Sequence, residues 1–485
     1  MKETTFKREV YIDFIQMSAL FLGSVISVYK AGPTIRDLYF LIPLALAFKS
    51  KKDYFWFAYF FILISAPNGL FANRTQAAMF RLPFYGVSSF SFTPMDVFLL
   101  MSIFKAFQVN KRVKFFLNKP LEFFFFYLLL VSIPISFVLG TELKPFVNTL
   151  RSFFFYGIIF SYLRLVKDKE EVLKFGYLLL PYSFLVIFDQ LYLVKTGNRF
   201  ISLLDPSMLG LFARNSMTGG VRAMVQGILI VYYTLIFGYQ IYNNKKYEVI
   251  PGISIVAILL PNAIFILSAT RSWMTIGFIT IFAFMAMSSK GLKLAVQAGT
   301  IGVLMFIALL STGVMDMEFL DSIYQRYAVV GDVARSGSLQ NADTFNNRIE
   351  QDIPKVLKGV AFSPVLGVGM SQHIKTYYSD DLGFMNTILI YGFLGFPIFL
   401  FFLFRYLFQC NRLRKHSAYD LTDKNIFMSL ILGILGMMAG YFFTWDFFSF
   451  FPEKVFFVSI VFATGDLIIN FQEREADAKY YAVQT

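Results

Sequence analysis

Runs of about 17 to 24 apolar residues recur along the whole chain, separated mostly by short loops, and this repetition fixes the environment before any motif is read. An α-helix needs about 20 such residues to cross the roughly 30 Å hydrocarbon layer, and the alternating ten-residue strands of a membrane barrel are absent. Composition agrees: of 485 residues, 57% are hydrophobic, 19% aromatic and only 15% charged, with a mean hydropathy of +0.60, which excludes a soluble domain. The expectation is an all-α polytopic membrane protein in which residues 1–485 form a single integral membrane domain. One cysteine, Cys410, allows no disulfide within the chain and no thiolate metal site. Lys2, Lys7 and Arg8 precede the first apolar run, and no small-residue cleavage site follows Val28, so that first span is expected to be retained.

Spans are expected at about 10–28, 37–48, 54–66, 92–109, 121–139, 146–165, 172–194, 222–241, 248–267, 272–288, 292–311, 383–406, 425–443 and 454–470, about fourteen in all. With the N-terminus inside, the inner loops are "KSKKD" at Lys49, "NKRVK" at Asn110, "RLVKDKEE" at Arg164, "NNKKYE" at Asn243, "SSKGLK" at Ser288 and "NRLRKH" at Asn411. Each is short and basic, as the positive-inside rule asks. The outer segments break that rule. The long loop at 312–382 carries Arg326, Arg335, Arg348, Lys355, Lys358 and Lys375, and Arg199, Arg214 and Arg222 lie in or beside the loop before the eighth span. Topology does not explain these cations; they either neutralise local acids such as Asp343, Glu350 and Asp352 or bind an anion at the outer face. The polar stretch 471–485 reads as a short cytoplasmic tail.

Within the long loop, Asp343 or Thr344 would cap a helix in which Ile349, Ile353 and Val356 form one apolar stripe and Arg348, Asp352 and Lys355 another face. This reads as an amphipathic helix at the membrane surface. Next, "FSPVLGVG" supplies Pro364, Gly367 and Gly369, a turn whose backbone could come close to a ligand.

The order Arg348, Pro364, Gly367, Gly369, Asn386, Leu389, Tyr391, Gly392 and Gly395, followed by an apolar span, resembles the signature of the O-antigen polymerase and O-antigen ligase superfamily. Upstream, "SATRSW", Ser268 to Trp273, resembles that family's short Ser-x-Ser-Arg outer hairpin. The resemblance covers roughly a third of the chain. With the N-terminus inside and the tail at 471–485, both termini are expected to be cytoplasmic; the resemblance implies a class C glycosyltransferase fold acting on oligosaccharides carried by undecaprenyl pyrophosphate at the outer face of a bacterial inner membrane, with neither metal nor nucleotide sugar. Arg271 and Arg348 would then bind the pyrophosphate. Ligases of the superfamily place a histidine where this chain has Met385, and the neighbouring Asp380 and Asp381 look more like the polymerase branch.

Several further residues are candidates on physical grounds. An anion at the start of the tenth span would be shared by Arg271 and free backbone N–H groups. Arg222, with Gln226 a turn below, opens the eighth span. Glu350, Asp380, Asp381 and His373 are candidate bases for the acceptor hydroxyl, and Asp189, an acid inside the seventh span, is a further candidate at the substrate. Gly367, Gly369 and Asn386 complete the expected substrate-binding set. Expected partners are lipid-linked oligosaccharides as donor and acceptor, membrane lipids and a chain-length regulator protein; nothing in the sequence supports nucleic acid. Two other readings stand beside the polymerase: a ligase passing finished glycan to lipid A core or protein, and a flippase, against which the absence of an internal repeat argues.

Overall fold

The computed structural model describes residues 2–30, 33–65, 93–109, 111–196, 200, 227–267, 271–311, 321, 324, 348–379, 382–443 and 452–484. Among these residues there is no strand, and six helices are long and apolar enough to cross a membrane: Thr4–Val28, Lys119–Val138, Lys169–Leu193, Gly383–Lys415, Leu421–Tyr441 and Pro452–Glu475. The protein is an all-α, membrane-embedded chain. The full helices are α1 (Lys2–Lys30), α2 (Pro33–Lys49), α3 (Asp53–Ser65), α4 (Pro94–Gln108), α5 (Lys119–Val138), α6 (Leu143–Phe154), α7 (Gly157–Leu165), α8 (Lys169–Thr196), α9 (Ile228–Asn243), α10 (Ile253–Leu267), α11 (Arg271–Met287) and α12 (Gly291–Ser311). They continue with α13 (Ile353–Val360), α14 (His373–Tyr377), α15 (Gly383–Lys415), α16 (Leu421–Phe443) and α17 (Pro452–Gln484).

Sequence decides which helices are central. Every residue of α3 is buried, because "DYFWFAYFFILIS" is apolar on all faces and leaves no side for a boundary. It packs on α8 and α17, and α17 is 89% buried over its span, whereas α5 is 33% buried and turns Phe123, Phe126, Leu129, Leu130 and Phe137 outward. The first group is core; the second faces lipid.

One expected span is in fact two helices. Residues 146–165 break at Phe155 and Tyr156, where the bonds tighten to the i→i+3 pattern and Ser459 Oγ donates to the Phe155 carbonyl at 3.2 Å. Gly157 lets α7 press on α4, since a Cβ there would lie 2.7 Å from Ile103 Cδ1. The segment read as a polar tail continues α17 as helix to Gln484.

The six short basic loops gather at one end of the bundle, cross-linked by lysines that donate to the backbone of neighbouring loops: Lys167 Nζ to Lys51 at 2.6 Å, Lys290 Nζ to Asn243 at 3.0 Å, and Lys111 Nζ to Leu163 at 3.0 Å and Val166 at 2.8 Å. Lys169 reaches Asp420 at 2.5 Å, and Arg414 donates to the Met287 carbonyl at 2.8 Å. The deepest tie is Asp466 of α17. Fully buried, its carboxylate accepts the backbone N–H groups of Phe116 at 3.0 Å, Leu117 at 2.7 Å and Asn118 at 3.3 Å, and Asn118 Nδ2 at 2.8 Å. An acid in an apolar helix needs such donors.

Candidate functional site

Of the residues that carried the family resemblance, Pro364, Gly367, Gly369, Leu389, Tyr391, Gly392 and Gly395 meet away from that end, in a joint between α15, α5 and the segment before α14. Gly392 interrupts α15 with φ 66° and ψ −177°, a conformation that glycine adopts without steric cost. The break frees two carbonyls and two N–H groups from the helical ladder, and the Pro364–Gly369 segment takes all four. Val368 N–H donates to Leu389 at 2.8 Å and Gly369 N–H to Ile390 at 3.0 Å, while Phe393 N–H donates to Pro364 at 2.9 Å and Leu394 N–H to Val365 at 3.0 Å. Gly367 (φ 76°) and Gly369 (φ 57°) are required in turn, because a Cβ on the first would strike the Ile390 carbonyl and a Cβ on the second the Ser132 carbonyl.

Helix α5 supplies the other wall. It contains a π-turn at Leu128–Ser132, and such turns widen a helix where something must fit against it. Tyr127 Oη sits between two carbonyls of the joint, 2.7 Å from Tyr391 and 3.1 Å from Leu366, and has one proton for the pair. Ser136 Oγ accepts Met370 N–H at 2.6 Å and donates to the Ser132 carbonyl. Beyond α5, Gln372 N–H donates to Gly140 at 3.1 Å, Thr141 Oγ1 to Met370 at 3.1 Å, and Lys375 pairs with Glu142 at 3.0 Å.

Above the joint lies α13. Arg348–Asp352 forms a single π-turn before it, and the wider turn rotates Ile349 out of the expected stripe to 45% exposure. The buried face is Val356, Gly359 and Val360, with Gly359 against Leu389 and Tyr377. Helix α13 is thus docked on α15. The expected caps, Asp343 and Thr344, lie outside the described residues. Among residues 348–379 four cations, Arg348, Lys355, Lys358 and Lys375, face two acids, Glu350 and Asp352, and Lys355 Nζ also donates to the Tyr378 carbonyl at 2.8 Å.

The expected site residues divide three ways. Arg348 and Glu350 lie together on the π-turn, the first partly exposed and the second exposed. His373 stacks on Phe362, ring centroids 4.1 Å apart, with Tyr377 beyond it at 6.1 Å. Arg271 opens α11, its side chain lying outside the described residues, as do Arg222, Gln226, Asp380 and Asp381 altogether. The remaining four, Gly367, Gly369, Asn386 and Asp189, are bonded within the protein. The N–H groups of Gly367 and Gly369 bond to Ser363 at 2.8 Å and to Ile390, and both glycines lie close against the protein's own backbone. Asn386, fully buried, accepts Ser379 N–H at 3.1 Å and donates to its carbonyl at 2.5 Å, which leaves its amide tied to the loop before α15. Asp189 accepts Phe200 N–H at 2.8 Å and holds the return of the chain after α8.

Sequence reasoning missed Tyr127 and Ser136, because nothing in "FFFFYLLLVSIPIS" distinguishes a helix that grips a loop from one that faces lipid only. It also missed a clamp nearby. Arg151 of α6 forks onto Asp96, Nε to Oδ1 at 2.6 Å and Nη2 to Oδ2, and reaches Thr93 Oγ1 at 3.0 Å. Thr93 and Asp96 form a capping box at the start of α4, a pattern legible as Thr-x-x-Asp.

No protein-family model matches the chain, and no curated protein is similar to it in sequence.

Proposed function

We propose that this chain is an inner-membrane glycosyltransferase of the O-antigen polymerase type, joining oligosaccharide repeat units carried on undecaprenyl pyrophosphate at the periplasmic face. The observation that carries the reading is the joint itself. Pro364, Gly367, Gly369, Asn386, Leu389, Tyr391, Gly392 and Gly395, the set that carries the family resemblance, fall on two facing segments that lock together, and Arg348 opens the short helical stretch docked on them. Such a joint holds a cationic element in one place over the membrane. In this reading fourteen helical segments cross or enter the membrane, both termini are cytoplasmic, and the excess of cations at 348–379 faces the periplasm.

The chemistry follows from the charge. The bond from the anomeric carbon to pyrophosphate oxygen breaks, a bond from that carbon to the acceptor hydroxyl oxygen forms, and the hydroxyl proton passes to a base. Arg271 and Arg348 would hold the pyrophosphate as its negative charge grows. Glu350 and His373 are the described candidates for the base. Lipid-linked glycans from a deletion strain, complemented with wild type, Arg271→Ala or Arg348→Ala, provide the test. A single-repeat product in the deletion, extended to a ladder only by the wild type, supports the proposal. Unchanged polymer with both alanine variants would sink it; full-length polymer stranded on its carrier lipid would mean a ligase, and loss of the outward-facing unit a flippase.

A further inference from the structure

Three bonds give the depth of the Pro364–Gly369 segment. Helix α5 is 20 residues from Lys119 to Val138, about 30 Å at 1.5 Å per residue, which matches the hydrocarbon layer from end to end. Gln372 N–H is held at Gly140 just beyond that helix, Met370 N–H at Ser136 inside its last turn, and the Leu366 carbonyl at Tyr127. Tyr127 lies eleven residues before Val138, about 16 Å below the end of α5. A second helix points the same way, since the Ile390 carbonyl that accepts Gly369 N–H lies seven residues or about 10 Å into α15 from Gly383, and the Val365 carbonyl reaches past the break at Gly392 to Leu394. From Pro364 to Met370 the sequence "PVLGVGM" has no polar side chain. Irregular backbone survives at such depth only if its polar groups are met inside the protein, and here the N–H groups of 367–370 and the carbonyls of 364–366 all have partners. Val365, Phe393 and Leu394 are nonetheless 61%, 58% and 50% exposed, and they continue the outward apolar row of α15 through Phe401, Phe404 and Phe408.

We propose that residues 361–371 are a re-entrant loop, entering the bilayer beside α5 and α15 and placing Val365 against lipid acyl chains near the middle of the membrane. Glycine at 367, 369 and 392 then serves to let an irregular, turning segment lie in a helix-lined slot where water is not available to solvate backbone. The apolar tip faces the hydrocarbon of the bilayer, and Lys355 and Lys358, on the helix above, remain at headgroup level.

The test uses the full chain with Val365→Cys, labelled with a thiol-reactive environment-sensitive fluorophore and reconstituted in phosphatidylcholine vesicles. Cys410 is buried, and the unsubstituted chain reports any background labelling. Nitroxide placed deep in the acyl chain is expected to quench the Val365→Cys label more than nitroxide near the headgroup, and aqueous iodide is expected to leave it unquenched, whereas a Lys375→Cys label responds to iodide. Stronger quenching by the shallow nitroxide, or by iodide, would overturn the proposal. Pro364→Cys, exposed on the loop itself, carries the same expectation and replaces Val365→Cys if that variant does not fold. No activity is read, so the result is independent of the proposed glycosyl transfer.

Discussion

Gly367 and Gly392 lie backbone against backbone, and a Cβ built on either would collide with the amide nitrogen of the other. Each also has a positive φ, so alanine at either position meets two penalties: about 1 to 2 kcal/mol for the left-handed backbone and about 1 to 3 kcal/mol for displacing the neighbouring backbone. Gly367→Ala and Gly392→Ala are each expected to lower the thermal midpoint of the purified protein sharply. Gly299→Ala and Gly302→Ala, on α12 where nothing lies within 4 Å of the added carbon, are expected to leave the midpoint unchanged or to raise it, through a stability gain of up to about 1 kcal/mol. Equal midpoints across the four variants would show that the joint does not carry stability.

Asp466→Asn keeps the shape of a buried side chain but turns an N–H₂ group toward a cluster of N–H donors. Stranding even one or two of the donors at Phe116, Leu117 and Asn118 costs about 1 to 3 kcal/mol each. The variant is expected to release segment 111–118, and trypsin should cut after Lys111, Arg112 or Lys114 much faster than in the wild type, as read from fragment masses. Unaltered cutting there would mean that Asn470, which holds Lys114 N–H and carbonyl at 2.9 Å each, suffices to hold the segment.

What could be read from the sequence was whatever depends on composition or local periodicity. Each expected span contains helix, and α3 declares its central place because no face of it is polar. The glycines at 367 and 369 declared a turn. What they touch could not be read, since Gly392 lies in an apolar run that gives no sign of interruption and Tyr127 is some 240 residues away. Asp189 and Asp466 make the same point. Both are acids in apolar helices and so must have partners, but those partners include backbone N–H groups, at Phe200 and at Phe116–Asn118, which no side-chain pattern reveals. The break at Phe155 and Tyr156 was invisible for a simpler reason: both flanks are equally apolar.

Lys111 gives a pH dependence with a definite sign. Burial, helped by the nearby Arg474 charge, pushes its ammonium down from the usual lysine range to about 7. Unfolded, the same lysine holds its proton to about pH 10.4, so between those values the unfolded chain binds more protons and stability rises with pH. Below about pH 7 both forms are protonated and this contribution is flat. Lys111→Met is therefore expected to lose the part of the stability gain that wild type shows from about pH 7 upward, measured as thermal midpoint against pH in detergent. Parallel curves for the two proteins would place the titration elsewhere.

Arg151 and Asp96 tie α6 to the start of α4, with the arginine 28% and the aspartate 9% exposed in their side chains. A fork of two charge-assisted bonds in so sheltered a place should couple more strongly than a surface pair, whose worth is about 0.2 to 1 kcal/mol. A double-mutant cycle of Arg151→Ala and Asp96→Ala is expected to give a coupling of about 1 to 3 kcal/mol, with the single variants each nearly as destabilised as the double. Arg151→Lys tests the geometry and not the charge: an ammonium cannot reach both Asp96 oxygens and Thr93 Oγ1 in the same plane, so it is expected to recover less than half of the loss. Full recovery by lysine would reduce the clamp to simple attraction, and α4 would then be oriented by its own capping box and by Gly157 packed on Ile103.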